Sequence, residues 1–564
     1  LSNPLDVTVT GCDFLQNDAS VYGGGIYLID ATTLTTVTDC HFSGDIASNE
    51  GGAIYIDSSP AAFTDCTFSG CSSNDNGGAV CVTGPNPLTF LRCQFDQNSA
   101  DSGGAIASYE LADISLEDCT FDGNEAAYFG GGLSCSNTSL LRATGCDFLG
   151  NTARLGGGVG IDSTATSIDS CLFQGNHAEI DGGGMYAHAG DDYLAYCLFW
   201  QNTSGRDAAG LLMDSCVADT VRSCTFSANT ANQDQMIGEG GGASLREGAC
   251  FFRNCSFARN VATGGGGLYC YDASCSILGG YFKENAAGLG LGADRLGGAI
   301  RGFFSCDIEI VGSIFASDSC ADGGALAMTQ GGTLDIRNTT MYDNYASAGS
   351  ASGIHVASDV TGTVERTIIS HAPQGEAIEC GEDFTLVCCD IYGNAGGDWI
   401  DEIADQYGVN GNISEDPLYC NAPAGEYHLH EDSPCAPFSA PNPECDLIGV
   451  WPVGCGPAST DEMVGPPQPT LLLRHSPNPM GRTARITYTV PFSLDAPAAR
   501  VHLAIYDASG RLVHCLVDEE QVAGIHDVSW NGSDSGHQTT NSGVYFCRLQ
   551  VGSASTVQSV IRIE

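Results

Sequence analysis

The chain has 564 residues, 74 of them glycine and 28 cysteine, and a formal net charge of −48. That charge repels nucleic acid and anionic lipid, which argues against DNA, RNA and membrane-surface binding, and no apolar run approaches the roughly 20 residues that span a bilayer. The cysteines include no Cys-x-x-Cys pair, so the composition points to an exported protein with some disulfides and away from a zinc framework.

From the first expected strand, Leu5-Asp-Val-Thr-Val9, the chain repeats itself. A Cys-x-Phe-x-x-Asn tract recurs, each time followed by Gly-Gly-(Gly/Ala)-aliphatic. The aromatic position falls at Phe14, Phe42, Phe68, Phe95, Phe121, Phe148 and Phe173, continues to Phe315, and is filled by Met341, Ile369 and Ile391 thereafter; most gaps are 25 to 28 residues. A fixed period of this size marks a solenoid, in which each repeat buries its face against its neighbours.

Residues 119–145 show one coil. Cys119-Thr-Phe121 alternates at a strand's period of two, Asn124 follows, Gly130-Gly131-Gly132 turns the chain, Leu133 and Cys135 alternate again, and Leu140–Ala143 makes a third strand. Three short strands in about 27 residues are one rung of a parallel β-helix, and about fifteen rungs give a rod on the order of 70 Å at the spacing of paired strands. Phe stacks on Phe between rungs. The glycine pair supplies positive φ or close backbone approach. The amides of Asn98, Asn124, Asn151 and Asn176 are expected to stack at a bend and satisfy backbone groups there. Cys93, Cys119 and Cys146 belong to a column read as small buried hydrophobes, since parallel stacking offers no tetrahedral ligand set for a metal. Residues 233–249 and 286–298 lengthen two rungs and are expected to leave as loops.

The Gly-Gly-Ala-Ile tracts (Gly51–Ile54, Gly103–Ile106, Gly297–Ile300) with Phe-x-x-Asn (Phe14–Asn17, Phe95–Asn98, Phe121–Asn124, Phe148–Asn151, Phe173–Asn176) resemble the repeat of chlamydial polymorphic outer-membrane proteins. They are also similar to the right-handed parallel β-helix repeat proteins of environmental bacteria. The resemblance covers roughly residues 6 to 400. It implies a right-handed helix and an adhesin-like role.

The period decays after about residue 395. Residues 401–456 are expected to form an irregular, disulfide-containing cap over the open sheet edge of the last rung. Cys420 with Cys435 and Cys445 with Cys455 are the preferred pairings among those open. Residues 457–470 are a Pro-rich, extended linker. Residues 471–564 alternate as strands around turn signals such as Asp507-Ala-Ser-Gly510, the pattern of a small β-sandwich. Ser476–Pro479, Ile505–Asp507 with Gly510–Val513, Ala523-Gly524, Trp530–Gly532 and Ser542–Phe546 resemble the Ig-like domain of flagellar hook-capping proteins and the type A sorting domains of type IX secretion cargo. That resemblance implies export, then surface anchoring or release. The fold class expected is therefore all-β: a right-handed parallel β-helix over residues 1–400 and an Ig-like sandwich at the C-terminus.

No catalytic set is expected. Asp191-Asp192 follows Ala189-Gly190 and reads as a solvated turn more readily than as a paired-carboxylate site. His428-x-His430 is half of a metal site without a third ligand. No cofactor is expected; calcium on turn carboxylates is left open, without the nonapeptide that would mark it. The reading is a secreted or outer-surface structural and adhesive protein. Its partners are an extracellular glycan or protein surface, or copies of itself stacked into an oligomer or filament through an uncovered rung. The alternative is a polysaccharide-active enzyme, whose mark would be an acidic groove flanked by aromatic side chains.

Overall fold

The structure, a computed structural model, describes residues 7–455 and 473–563, apart from 86, 232–237, 289–295, 348–349, 477–479, 482, 491–497, 523, 537 and 552–553. The chain divides into two compact units, Leu1–Pro467 and Gln468–Glu564. The expected linker at 457–470 lies outside the described residues, as do Leu5, Asp6, the last three residues of Ser476–Pro479, and Ala523.

The first unit is a parallel coil. Fifteen three-residue strands, from Asp13–Leu15 to Asp390–Tyr392, pair in chain order as one sheet. Register sets like on like: Phe121 lies opposite Phe95 and Phe148. From Phe14 to Phe315 the rings stack with centroids 4.5–5.0 Å apart and planes within 10° of parallel. From Phe42 onward these rings are at most 1 % exposed, which is worth about 2–3 kcal/mol for each ring removed from water.

Thirteen coils hold one strand more than the sequence pattern indicates. Glu125–Phe129 lies between Asn124 and the glycine tract, in a separate sheet of thirteen strands. Its Glu-Ala-Ala-Tyr-Phe sequence has no clean alternation, so a period-two reading passes over it. A third sheet of 27 strands collects the two remaining strands of every coil. It is continuous because Ala243–Arg253 and Leu268–Leu278 run through the corner as single strands. Residues 243–249 are thus strand and not loop, a correction to the expected insertion at 233–249; residues 232–237 and 289–295 of the two insertions lie outside the described residues.

The asparagine column is a continuous hydrogen-bonded ladder. Asn124 Nδ2 donates to Phe95 O and to Asn151 Oδ1, both at 2.9 Å, and Asn124 Oδ1 accepts from the backbone N–H and side-chain amide of Asn98. Asn151 and Asn176 repeat the pattern. Each amide satisfies one donor and one acceptor that the bend leaves over. Asp45, Cys71 and Asp318 occupy the same column.

The cysteine column behaves more like a hydroxyl column than a purely apolar one. Cys119 Sγ lies 3.5 Å from Phe90 O and 3.4 Å from Glu117 O. Further along, Thr339 and Thr367 take the equivalent place and donate to Arg337 O and Glu365 O at 3.1 and 3.0 Å. Cys93, Cys119 and Cys146 are buried free thiols. The glycine pair divides its work: Gly130 has φ +65°, while a β-carbon on Gly131 would stand 2.2 Å from Gly157 O.

The coil is closed by the segment after Tyr392. Gln406 accepts from Leu386 N–H and donates to Phe384 O, and Asn412 donates to Leu386 O, so the last strand's free edge is paired. The cap also turns back along the coil, where Tyr427 and Val450 pack with Ile314 and Ala316. Its disulfides are Cys388–Cys445 and Cys420–Cys455. This corrects the expected Cys420–Cys435 and Cys445–Cys455 pairs. Cys389 holds the buried place in the coil, which leaves Cys388 at the corner for Cys445. Cys435 stays a buried thiol, 3.0 Å from Asp390 Oδ2.

The second unit is an antiparallel sandwich. Leu473–Ser476, Ala484–Val490 and Gly524–Trp530 form one sheet; Leu512–Val522, Ala498–Asp507, Gly543–Val551 and Ala554–Arg562 form the other. Its core includes Tyr488, Leu503, Trp530 and Leu549. At the Asp507–Gly510 turn, Asp507 Oδ1 accepts from the Ser509 hydroxyl and from the N–H groups of Arg511 and Ser509, and these bonds, the hydroxyl's first, hold its carboxyl down at about 2.

Candidate functional site

The strand after each glycine tract alternates: Leu133 and Cys135 enter the core, and Ser134 and Ser136 face out. The outward second position is nonetheless covered in most coils. Tyr55 is 8 % exposed, Cys81 and Ala107 are at 0 %, and Tyr269 is at 7 %. In four successive coils the short strand missed in the sequence (Ser99–Ser102, Glu125–Phe129, Thr152–Leu155 and His177–Asp181) runs up to the glycine tract. The two strands meet at a concave corner, and the corner repeats from coil to coil as a groove.

Where the floor is small, the groove deepens. Ala107, Ser134 and Gly160 lie opposite one another in three successive coils. A β-carbon on Gly160 would come within 2.8 Å of the Phe129 ring. A cavity of about 350 Å³ results, with Tyr109, Tyr128, Phe129 and Tyr186 among its walls and Asn76, Ser134, Asp162 and His188 as polar groups. Phe129 and Tyr186 meet edge to face at 5.9 Å. His188 Nδ1 lies 2.9 Å from Asp162 Oδ1.

Farther along the same corner the groove becomes ionic. The residues preceding three successive glycine-type turns are Asp181, Asp207 and Glu239. They form a ladder of their own: Asp181 Oδ1 accepts from Asp207 N–H at 3.0 Å, and Asp207 Oδ1 from Glu239 N–H at 2.8 Å. Arg206 bonds Asp181, Arg246 bonds Asp207, and Arg301 Nη1 meets Glu239 Oε1 at 2.8 Å. Burial raises the Asp207 carboxyl although Arg246 and Arg206 pull it the other way. Burial likewise pushes Tyr186 up to about 12.

The sequence pattern marked none of these groove residues as a site. A usable signal was present, since aligning coils on the glycine tract places Asp181, Asp207 and Glu239 in one column. The residues it did name fall elsewhere. Phe14, Phe95, Phe121, Phe148 and Phe173 line the opposite corner as core. Asp191 is exposed, but Asp192 is buried and takes a hydrogen bond from Thr166 at 2.5 Å. Burial, then the neighbouring Asp219, raises Asp192 to about 7. The expected solvated turn therefore holds only for the first of the pair. His428 packs at a tilt against Trp451, with ring centroids 4.4 Å apart, and burial lowers its pKa; His430 Nδ1 accepts from Asp432 N–H. Neither histidine belongs to a three-ligand group among the described residues. No helix there is long and apolar enough to cross a membrane.

Residues 2–173 match the family model of the right handed beta helix region, and residues 482–555 match that of the FlgD Ig-like domain. No curated protein and no solved structure matches the chain. The chain thus joins a parallel β-helix to a C-terminal Ig-like domain, an architecture that fits a structural or surface protein.

Proposed function

We propose that the protein is an exported, surface-exposed structural and adhesive rod whose groove holds an extracellular glycan. The cavity at Tyr109, Tyr128 and Tyr186 carries this reading. Its aromatic walls suit the apolar faces of a pyranose ring, and its amide, hydroxyl and imidazole groups suit the hydroxyl rim. The net charge of −48 disfavours polyanions at long range, so neutral chains are the expected class. The sandwich serves export or anchoring. Support comes from the FlgD Ig-like match and from Val544, Phe546 and Val557, which are 37–53 % exposed on its four-stranded sheet. Self-association of such rods is the second part of the same role. Head-to-tail stacking of such rods gives an open filament.

The test is a panel of immobilised neutral and acidic polysaccharides probed with the full chain, paired with protease shaving of intact cells. Retention on neutral glycans and surface accessibility support the reading; retention on none of them overturns it. The enzyme alternative rests on one observation, the His188–Asp162 pair on the cavity wall. It requires new reducing ends in the same panel, which the adhesive reading does not produce.

A further inference from the structure

The core of the coil contains an anomaly unrelated to the groove. One inward column is aliphatic at Ile114 and Leu141 and again from Ile308. Between them the same column reads Thr166, Asp192, Asp219, Cys250 and Cys275. Five successive coils therefore exchange aliphatic packing for oxygen and sulfur donors in a dry interior. Such burial is unfavourable unless the groups find partners.

Some of them do. Thr166 bonds Asp192, and Asp219 Oδ1 accepts from Asp192 N–H at 2.9 Å. Asp219 is 0 % exposed, and its Oδ2 has no hydrogen-bond partner. Cys216, from the corner preceding Asp219, brings its Sγ to 3.8 Å from Asp192 Oδ2. One donor atom from each of Asp192, Cys216 and Asp219 lies within 4.8 Å of the others, and all three residues are buried. It is the one such group among the described residues. The donors come from a strand column and a corner together, so they surround a point, as a single stacked column cannot.

We propose that Asp192, Asp219 and Cys216 hold a divalent transition-metal ion of the zinc class inside the coil. A thiolate with carboxylate oxygens selects a borderline ion over calcium or magnesium, which take six or more oxygens. Donors of a tetrahedral zinc site stand about 3.3–3.8 Å apart, given metal–ligand distances near 2.0–2.3 Å. The observed spacing, within 4.8 Å, reaches that geometry by a contraction of at most about 1–1.5 Å. Binding releases the Cys216 thiol proton to solvent, and the cation offsets carboxylates that otherwise face each other uncompensated. The site is structural, because all three donor residues are buried in the coil.

The experiment uses the full chain, refolded with and without zinc and, separately, with cobalt(II). Stoichiometric zinc by elemental analysis and a tetrahedral cobalt spectrum with a sulfur charge-transfer band are expected. Cys216→Ser should keep the circular dichroism of the fold while losing the sulfur band, and metal content should fall about tenfold or more. The double variant Asp192→Leu with Asp219→Leu restores the aliphatic column, and it should fold and bind no metal. Folded wild-type protein without metal after refolding in zinc, or a sulfur band unchanged in Cys216→Ser, overturns the proposal.

Discussion

Two corners of the same coil are built in opposite ways. At the phenylalanine–asparagine corner the side chain is the same from coil to coil, and each residue is the partner of its own copy: Asn98 bonds Asn124, which bonds Asn151. At the groove corner the side chain changes at nearly every step, from Asn76 and Ser102 through Phe129 to Asp181 and Glu239. The backbone pairing is the same in both, so the difference lies in what the side chains are for. Where a column repeats, it satisfies the interior. Where it varies on a concave face, it shapes a surface for something else.

The contrast is sharpest in the ladder. Asn124→Leu removes a buried amide and strands Asn98 N–H, the Asn98 amide and Phe95 O. A loss of about 4 kcal/mol or more is expected, at 1–3 kcal/mol for each stranded group. Chemical denaturation, with amide exchange followed at Asn98, reads it. The groove's ionic stretch comes next. Glu239→Gln leaves the Arg301 guanidinium, 4 % exposed, without its nearest carboxylate. About 2 kcal/mol is expected from the loss of a charge-assisted hydrogen bond, visible as a lower melting temperature.

Asp318 breaks the ladder in the opposite sense. Its Oδ1 accepts from Asn285, but its Oδ2 has no partner where an asparagine would donate, as Asn344 does to Phe315 O. Burial raises this carboxyl far above 3.8, so the folded chain keeps a proton that the unfolded chain gives up. Stability from this group is therefore intact below pH 3.8 and lost as pH rises through the interval up to the raised folded value. Asp318→Asn should stabilise the protein at pH 8 by about 1 kcal/mol and flatten part of that pH dependence. Denaturation midpoints at pH 4.5 and 8 measure both. The smallest effect on stability belongs to the cavity. Tyr186→Ala should cost under about 1 kcal/mol of folding stability and weaken glycan retention about tenfold, read by affinity electrophoresis.

The coil was legible in the sequence because its columns repeat: Phe121, Asn124 and Gly130 recur at one period, and like side chains can only stack if the chain winds. The sandwich was legible from alternation and from turns such as Asp507–Gly510. The groove was not, because its wall strand, Glu125–Phe129, lacks alternation, and its residues differ from coil to coil. The disulfides were misjudged for a related reason. Cys388 stands beside a column cysteine in sequence, and nothing local marks it as the one facing the cap. Asp192 was read as solvent-facing from its glycine neighbour, though its register opposite Thr166 places it inside.

A side-by-side denaturation of wild type, Asn124→Leu and Tyr186→Ala tests this division of labour most directly. The expected result is a large downward shift of the midpoint for Asn124→Leu and almost none for Tyr186→Ala. A shift for Tyr186→Ala as large as that for Asn124→Leu would make the groove part of the core and contradict the account.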